Sequence, residues 1–176
     1  YDPENPSQHI IDMSENEIEV PEDYTREELR QDLLCYTSPV LKENLVLTGD
    51  MTAELYISSD APDTDFVVRV TDVDENGRSI KLADGLLSAR YRNGFAQSEF
   101  LQEGEIVCLK IRTTKLSNCF RKGHCIRVTV TSSAKNFIFP NSNTREGFAS
   151  ARTVVAHNRV YHGGLHASRL TVRVEP

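Results

Sequence analysis

Five segments of this chain alternate apolar and polar residues with a period of two. Ala53, Leu55 and Ile57 alternate with Thr52, Glu54 and Tyr56, and Phe66, Val68 and Val70 alternate with Val67, Arg69 and Thr71. The same spacing returns in Val107, Leu109 and Ile111, in Ile126, Val128 and Val130, and in Leu170, Val172 and Val174. Successive side chains of a strand point to opposite faces, so each segment predicts a strand with one buried and one wetted face. Together they predict an all-β fold, an antiparallel β-sandwich. A chain of 176 residues is long enough for one such domain with a real core, and too short for a catalytic domain beside it. With 39% hydrophobic residues and 7% aromatics, that core is expected to be aliphatic.

Charge is distributed unevenly. Residues 1–32 hold eleven acids and two bases (net −9), residues 33–105 thirteen acids and six bases (net −7), and residues 106–176 two acids and twelve bases (net +10), giving −6 overall. The basic part does not read as a nucleic-acid surface. Lys110, Arg112, Arg127 and Arg173 fall on the polar side of strands, without interleaved aromatics on which bases could stack. Acidic and basic strands are instead expected to neighbour and pair. No apolar run approaches the roughly 18 residues of a membrane-spanning helix, so no membrane partner is expected.

The first 32 residues read as an acidic arm or linker, with Pro3, Pro6 and Pro21 and few large apolar side chains. Thr25 and Glu28 have capping-box spacing, which predicts one short helix over residues 26–32, broken by the Tyr36-Thr37-Ser38-Pro39 run. The strand-rich domain is expected over residues 33–176. The chain opens at Tyr1 and not at a methionine, as an excised segment or a processed product would.

Motifs that could carry chemistry have plainer explanations. Asp72, Asp74, Asn76 and Gly77 match the first half of a calcium-binding EF-hand loop, but Ala83 stands where the bidentate Glu is needed and the flanks alternate like strands. A hairpin turning at Asn76-Gly77 explains the same residues. No G-x-S-x-G elbow is present; Ser132 and Lys135 match S-x-x-K at the end of a strand, where serines stabilise turns. His157, His162 and His166 invite a metal reading, but His157 and His162 are an odd number apart, which on one strand sends them to opposite faces unless a loop lies between them. Cys35, Cys108, Cys119 and Cys125 form no CxxC pair. They read as free thiols of a reducing, cytoplasm-like compartment, with a Cys119–Cys125 disulfide as the alternative. No cofactor, metal site or catalytic residue is expected on this chain.

The run SSDAPDTDFVVRVTDVDENGRSIKLADGLLSARYR, followed in order by GHCIRVTVTSS, NSNT and VYHGGLHASRL, resembles the C-terminal domain of the X-prolyl dipeptidyl-peptidase and cocaine-esterase (CocE/NonD) family of serine hydrolases. The opening YDPENP resembles the join leading out of that family's catalytic domain. The resemblance implies a jelly-roll β-sandwich of the galactose-binding-like type, packed against an α/β-hydrolase domain that precedes it in the parent chain. The Ser-His-Asp triad would lie wholly in that absent domain. The parent would be an X-Pro dipeptidyl-peptidase, an ester hydrolase or an acylase. This domain would then be a noncatalytic support that shapes the cleft or joins in a homo-oligomer. Two departures stand out: SQHIIDMSENEIEVPEDYTREELR replaces a segment that in relatives can lie near the catalytic pocket, and Cys125 stands where an arginine is usual.

Several matched residues are expected to serve the sandwich itself. Asp63 and Asp65 can accept turn amides or pair with Arg90 or Arg92, Gly123 can supply a positive-φ turn beside His124, and Asn141, Asn143 and Thr144 can fold a loop through side-chain to backbone bonds. Tyr161 and His162 are the candidates for facing the partner domain, since aromatics with polar tips suit such interfaces. The alternative function is a carbohydrate-binding module, disfavoured by the absence of tryptophan.

Overall fold

A computed structural model of the chain describes residues 1–11 and 21–174. Its main sheet joins β1 (Leu34–Thr37), β4 (Asp65–Val73), β5 (Ser79–Ser88) and β8 (Cys125–Thr131) in the order β1-β8-β4-β5, antiparallel throughout. A second sheet places β3 (Thr52–Ser58) between β6 (Val107–Arg112) and β10 (Arg169–Thr171), with the short β9 (Arg159–Val160) pairing the end of β3. A two-stranded ribbon of β2 (Leu45–Gly49) and β7 (Leu116–Phe120) closes one end. The predicted all-β, antiparallel sandwich is the observed architecture.

The alternating apolar residues meet between the sheets. Leu55, Ile57, Leu109 and Ile111 pack from one side against Phe66, Val68 and Val130 from the other. Each fully buried aliphatic or phenyl side chain contributes about 2 kcal/mol. A second cluster of Leu47, Met51, Val70, Ala83 and Phe120 fills the ribbon end, with Leu170 and Val172 packed on it. The final predicted strand is shorter than its pattern: β10 stops at Thr171, and Val174 makes only an isolated bridge to Leu47.

The sheets come closest where β5 reaches β6. Pairing shifts between Val70–Ala83 and Thr71–Lys81, a bulge that kinks β5. Beyond it, a Cβ on Gly85 would overlap the Arg112 carbonyl oxygen and lie 2.9 Å from its carbon, so only glycine fits without backbone movement.

Two expectations need correction. No helix spans residues 26–32: only one 3-10 turn forms, Glu27–Leu29, without a side-chain cap. The capping box fails because both of its members bond elsewhere. Thr25 Oγ1 donates to Asp23 and accepts from the Ser79 amide, while the Glu28 carboxylate points into the main sheet. The Tyr36-Thr37 run expected to break a helix is part of strand β1, which pairs β8.

The second correction concerns the wetted face. The polar residues of β4 are not in water, since Arg69 and Thr71 are both fully buried. The described parts of the arm lie across them. At one edge Ser7 and His9 exchange backbone bonds with Lys135 (2.9 and 2.7 Å); at the other, Glu22 and Tyr24 pair with Lys81 and Ser79 (3.0 and 2.8 Å). Arg69 stacks its guanidinium over the Tyr24 ring at 4.4 Å and donates to the Gln8 carbonyl. Among the described residues its Nε and Nη1 find no acceptor, so the ring face carries much of the electrostatic compensation. Glu28 accepts from Arg127 Nη1 (2.6 Å), Ser79 Oγ (2.9 Å) and Thr71 Oγ1 (3.4 Å). Apart from those two nitrogens of Arg69, hydrogen bonds such as these offset the cost of covering a polar sheet face. The arm's residues 12–20 lie outside the described residues.

Candidate functional site

Every grouping that might have carried catalysis is engaged in other work. Ser132 is buried, and its Oγ accepts from Asn158 Nδ2 at 2.8 Å. Asn158 is itself fixed by Ser59, which donates to its Oδ1, and donates to Thr64. Lys135 belongs to the bridge with the arm. His157 is hydrogen-bonded by Nδ1 to Asp60 Oδ2 (2.6 Å), and its amide donates to Asp60 Oδ1 (2.8 Å). That acid-histidine pair shares a pocket with Ser132, but no hydrogen bond joins His157 to Ser132, and the serine hydroxyl is held by an amide instead of a base. The three histidines part company: His162 bonds Tyr36, and His166 packs edge-on against Tyr56. No group of three metal-ligating side chains occurs among the described residues.

The acidic loop is a hairpin turn. Asp74 Oδ1 accepts from the Asn76 and Arg78 amides, its own amide donates to the Arg78 carbonyl, and Gly77 takes a φ of +81°. These bonds hold the Asp74 carboxyl below the ordinary range, the Arg78 amide contributing most. Asp72 accepts from His124 Nδ1 at 2.8 Å. His124 therefore pairs with a carboxylate, and Gly123 beside it takes the expected positive φ, +91°. All four cysteines are free thiols.

A more elaborate polar network lies under the long loop between β8 and β9. Asp63 is held by Arg90 through the amide (3.0 Å) and Nε (2.8 Å), as its sequence neighbourhood suggested. Asn141 Nδ2 donates to both Asp63 (2.7 Å) and Asp65 (3.0 Å). Burial pushes the Asp65 carboxyl up, against hydrogen bonds from Ser88 and Asn141 that pull it down. Asn143, at a φ of +62°, donates its amide to the Asn141 side-chain oxygen and its Nδ2 to the Val154 carbonyl. The loop is thus folded by side-chain to backbone bonds, as expected from NSNT.

On this rigid base sits an apolar surface that sequence pattern did not reveal. Phe139 and Phe148 are 77% and 73% exposed and stack on each other with centroids 5.8 Å apart. Val154 and Val155 are exposed on the same loop. Tyr1 lies against the loop: its backbone nitrogen donates to the Ala156 carbonyl (2.6 Å), its carbonyl accepts from the Ala156 amide (2.9 Å), and its hydroxyl donates to the Asn141 carbonyl. Of the pair expected at an interface, Tyr161 is half-buried with its hydroxyl 2.9 Å from Ser58 Oγ. His162 is exposed, with Nε2 3.0 Å from the Tyr36 hydroxyl. Tyr36 and His162 stand at the mouth of a crevice of about 230 Å³ between the sheets, lined by Leu55, Val128, Val130 and Leu170.

The chain is similar to known proteins in both sequence and fold. Cocaine esterase of Rhodococcus sp. is 37% identical over 150 residues, covering 82% of this chain and 26% of the esterase. The structure of an aminopeptidase from a marine-sediment Thaumarchaeota archaeon superposes on the whole chain with a TM-score of 0.91 at 24% identity, using 32% of that protein. An α-amino acid ester hydrolase superposes on 99% with a TM-score of 0.85 at 21% identity, using 31% of its length. These two likenesses establish the fold. The chain spans about a quarter of the curated relative and about a third of the solved structures. The X-Pro dipeptidyl-peptidase C-terminal non-catalytic domain matches residues 3–171, and with nearly all of its length accounted for, the chain belongs to that family, the noncatalytic C-terminal domains of CocE/NonD-type hydrolases.

Proposed function

We propose that this domain supports an α/β-hydrolase domain preceding it in a longer polypeptide, and that the complete protein is a serine hydrolase acting on an ester, an amide or an X-Pro peptide bond. The family match over residues 3–171 carries this reading. The domain's roles are to bury part of the hydrolase surface, to shape the rim of the substrate cleft and to offer contacts for a homo-oligomer. Neither cofactor nor metal enters this role.

A fluorophosphonate probe tests the proposal. The 176-residue chain should remain unlabelled by intact mass, while the full-length polypeptide should gain one adduct on a serine outside these residues. A stoichiometric adduct on the 176-residue chain would overturn it and make Ser132 the first residue to substitute.

A further inference from the structure

We infer that the surface formed by the stacked Phe139 and Phe148, on the loop to which Tyr1 is bonded, is where the hydrolase domain of the same polypeptide docks. The inference rests on the function proposed above and gives it a location. Two stacked phenyl rings left about three-quarters exposed are an apolar patch of the kind that marks an interaction site. The patch is also preorganised. Buried Asn141, Ser142, Asn143 and Thr144 hold the loop through Asp63, Asp65, the Gly147 carbonyl and the Val154 carbonyl. Little loop entropy is then lost when a partner covers the rings.

Tyr1 identifies the occupant. The family's domain is C-terminal, so in relatives three to four times longer the remaining chain enters this fold at its N-terminal end. That end is fixed to the loop that carries the rings by the bond from the Tyr1 hydroxyl to the Asn141 carbonyl, by the paired bonds between Tyr1 and Ala156 and by the bond from Thr153 Oγ1 to Glu4. A domain tethered at Tyr1 is therefore held at high effective concentration over this surface. The crevice by Tyr36 and His162 has no such connection.

Hydroxyl-radical footprinting of the full-length polypeptide tests the assignment. Phe95 and Leu165, 80% and 91% exposed, serve as internal references. Phe139 and Phe148 should oxidise about tenfold more slowly than these, independently of protein concentration. The Phe139→Asp/Phe148→Asp variant should lower the melting temperature of the full-length protein by about 3 °C or more. Oxidation of both phenylalanines at the reference rate overturns the inference, as does protection confined to Tyr161 and His162. Protection that disappears on dilution assigns the patch to a second copy and also overturns it. Fluorophosphonate labelling of the same sample separates the two failures: no adduct removes the hydrolase itself, whereas an adduct with an open patch removes only this docking site.

Discussion

Replacing Glu28 by alanine tests whether the arm is a structural layer or a linker. The Glu28 carboxylate is 3% exposed and accepts from Arg127, Ser79 and Thr71. Breaking a fully buried ion pair by removing one partner costs about 3–5 kcal/mol. Two features lower that figure here. Arg127 is 24% exposed and can turn toward water, and Ser79 keeps its bond to Thr71 at 2.8 Å. The expected loss is about 2–3 kcal/mol, equivalent to about 6–9 °C in melting temperature for a domain of this size. Glu28→Gln keeps the shape and one acceptor and should lose about 1–2 kcal/mol. Urea unfolding followed by circular dichroism measures both, and a double-mutant cycle with Arg127→Leu should return a coupling of about 1–2 kcal/mol. Leu29→Ala is the local control, since Leu29 is 79% exposed and should change stability by less than about 0.5 kcal/mol. If Glu28→Ala also falls within about 0.5 kcal/mol of wild type and the cycle shows no coupling, the arm is not part of the folded unit and the reasoning fails.

Three further outcomes are expected. Gly85→Ala should destabilise by about 2 kcal/mol in the same urea assay, because its methyl group meets the Arg112 backbone; a neutral result would mean that the sheets can part there. Asn141→Ala should cost about 3 kcal/mol at neutral pH, since it strips a donor from two buried carboxylates. The Asp65 carboxyl lies above its ordinary value, so its ionised form weakens the fold above that raised value and the penalty is relieved as pH falls through it; the Asn141→Ala defect should therefore shrink on acidification. Asp23 behaves oppositely: the hydrogen bond from the Thr25 side chain, then that from Arg78, lower it from 3.8 to about 2, so its contribution is present above 3.8 and lost as pH falls toward 2. Asp23→Asn should flatten the urea midpoint across that interval, and an unchanged slope would refute the pairing.

Sequence pattern revealed those parts of the fold that repeat along the chain. Ala53, Leu55 and Ile57 announce β3 because each has to reach the same core, and the Asn76-Gly77 turn announces its hairpin because the backbone needs a positive φ there. β1 gave no such signal: all four of its residues are exposed, so burial imposes no alternation on LCYT. The partners of the arm left no signal for a related reason. Its attachment is made by polar groups such as Ser7 with Ser133 and Glu28 with Arg127, separated by 126 and 99 residues, and hydrogen bonds at that range leave no period. At the candidate site, Asp63 with Arg90 was legible from carboxylates near a strand start. Phe139 and Phe148 were not, since a lone phenylalanine in a loop reads alike whether it is covered or bare.

The main sheet also dictates an order of events during synthesis. Its strand β8 sits between β1 and β4, yet it is made long after both, and Tyr1 finds Ala156 only once 155 further residues exist. Until residue 131 has emerged, β4 can pair only with β5, and the edge β8 will occupy stays open beside an unattached β1. Such non-local closure is slow and leaves a strand edge available to other chains. The acidic N-terminal segment, net −9 over residues 1–32, is present throughout that interval, and its charge repels other nascent copies while the edge is unprotected.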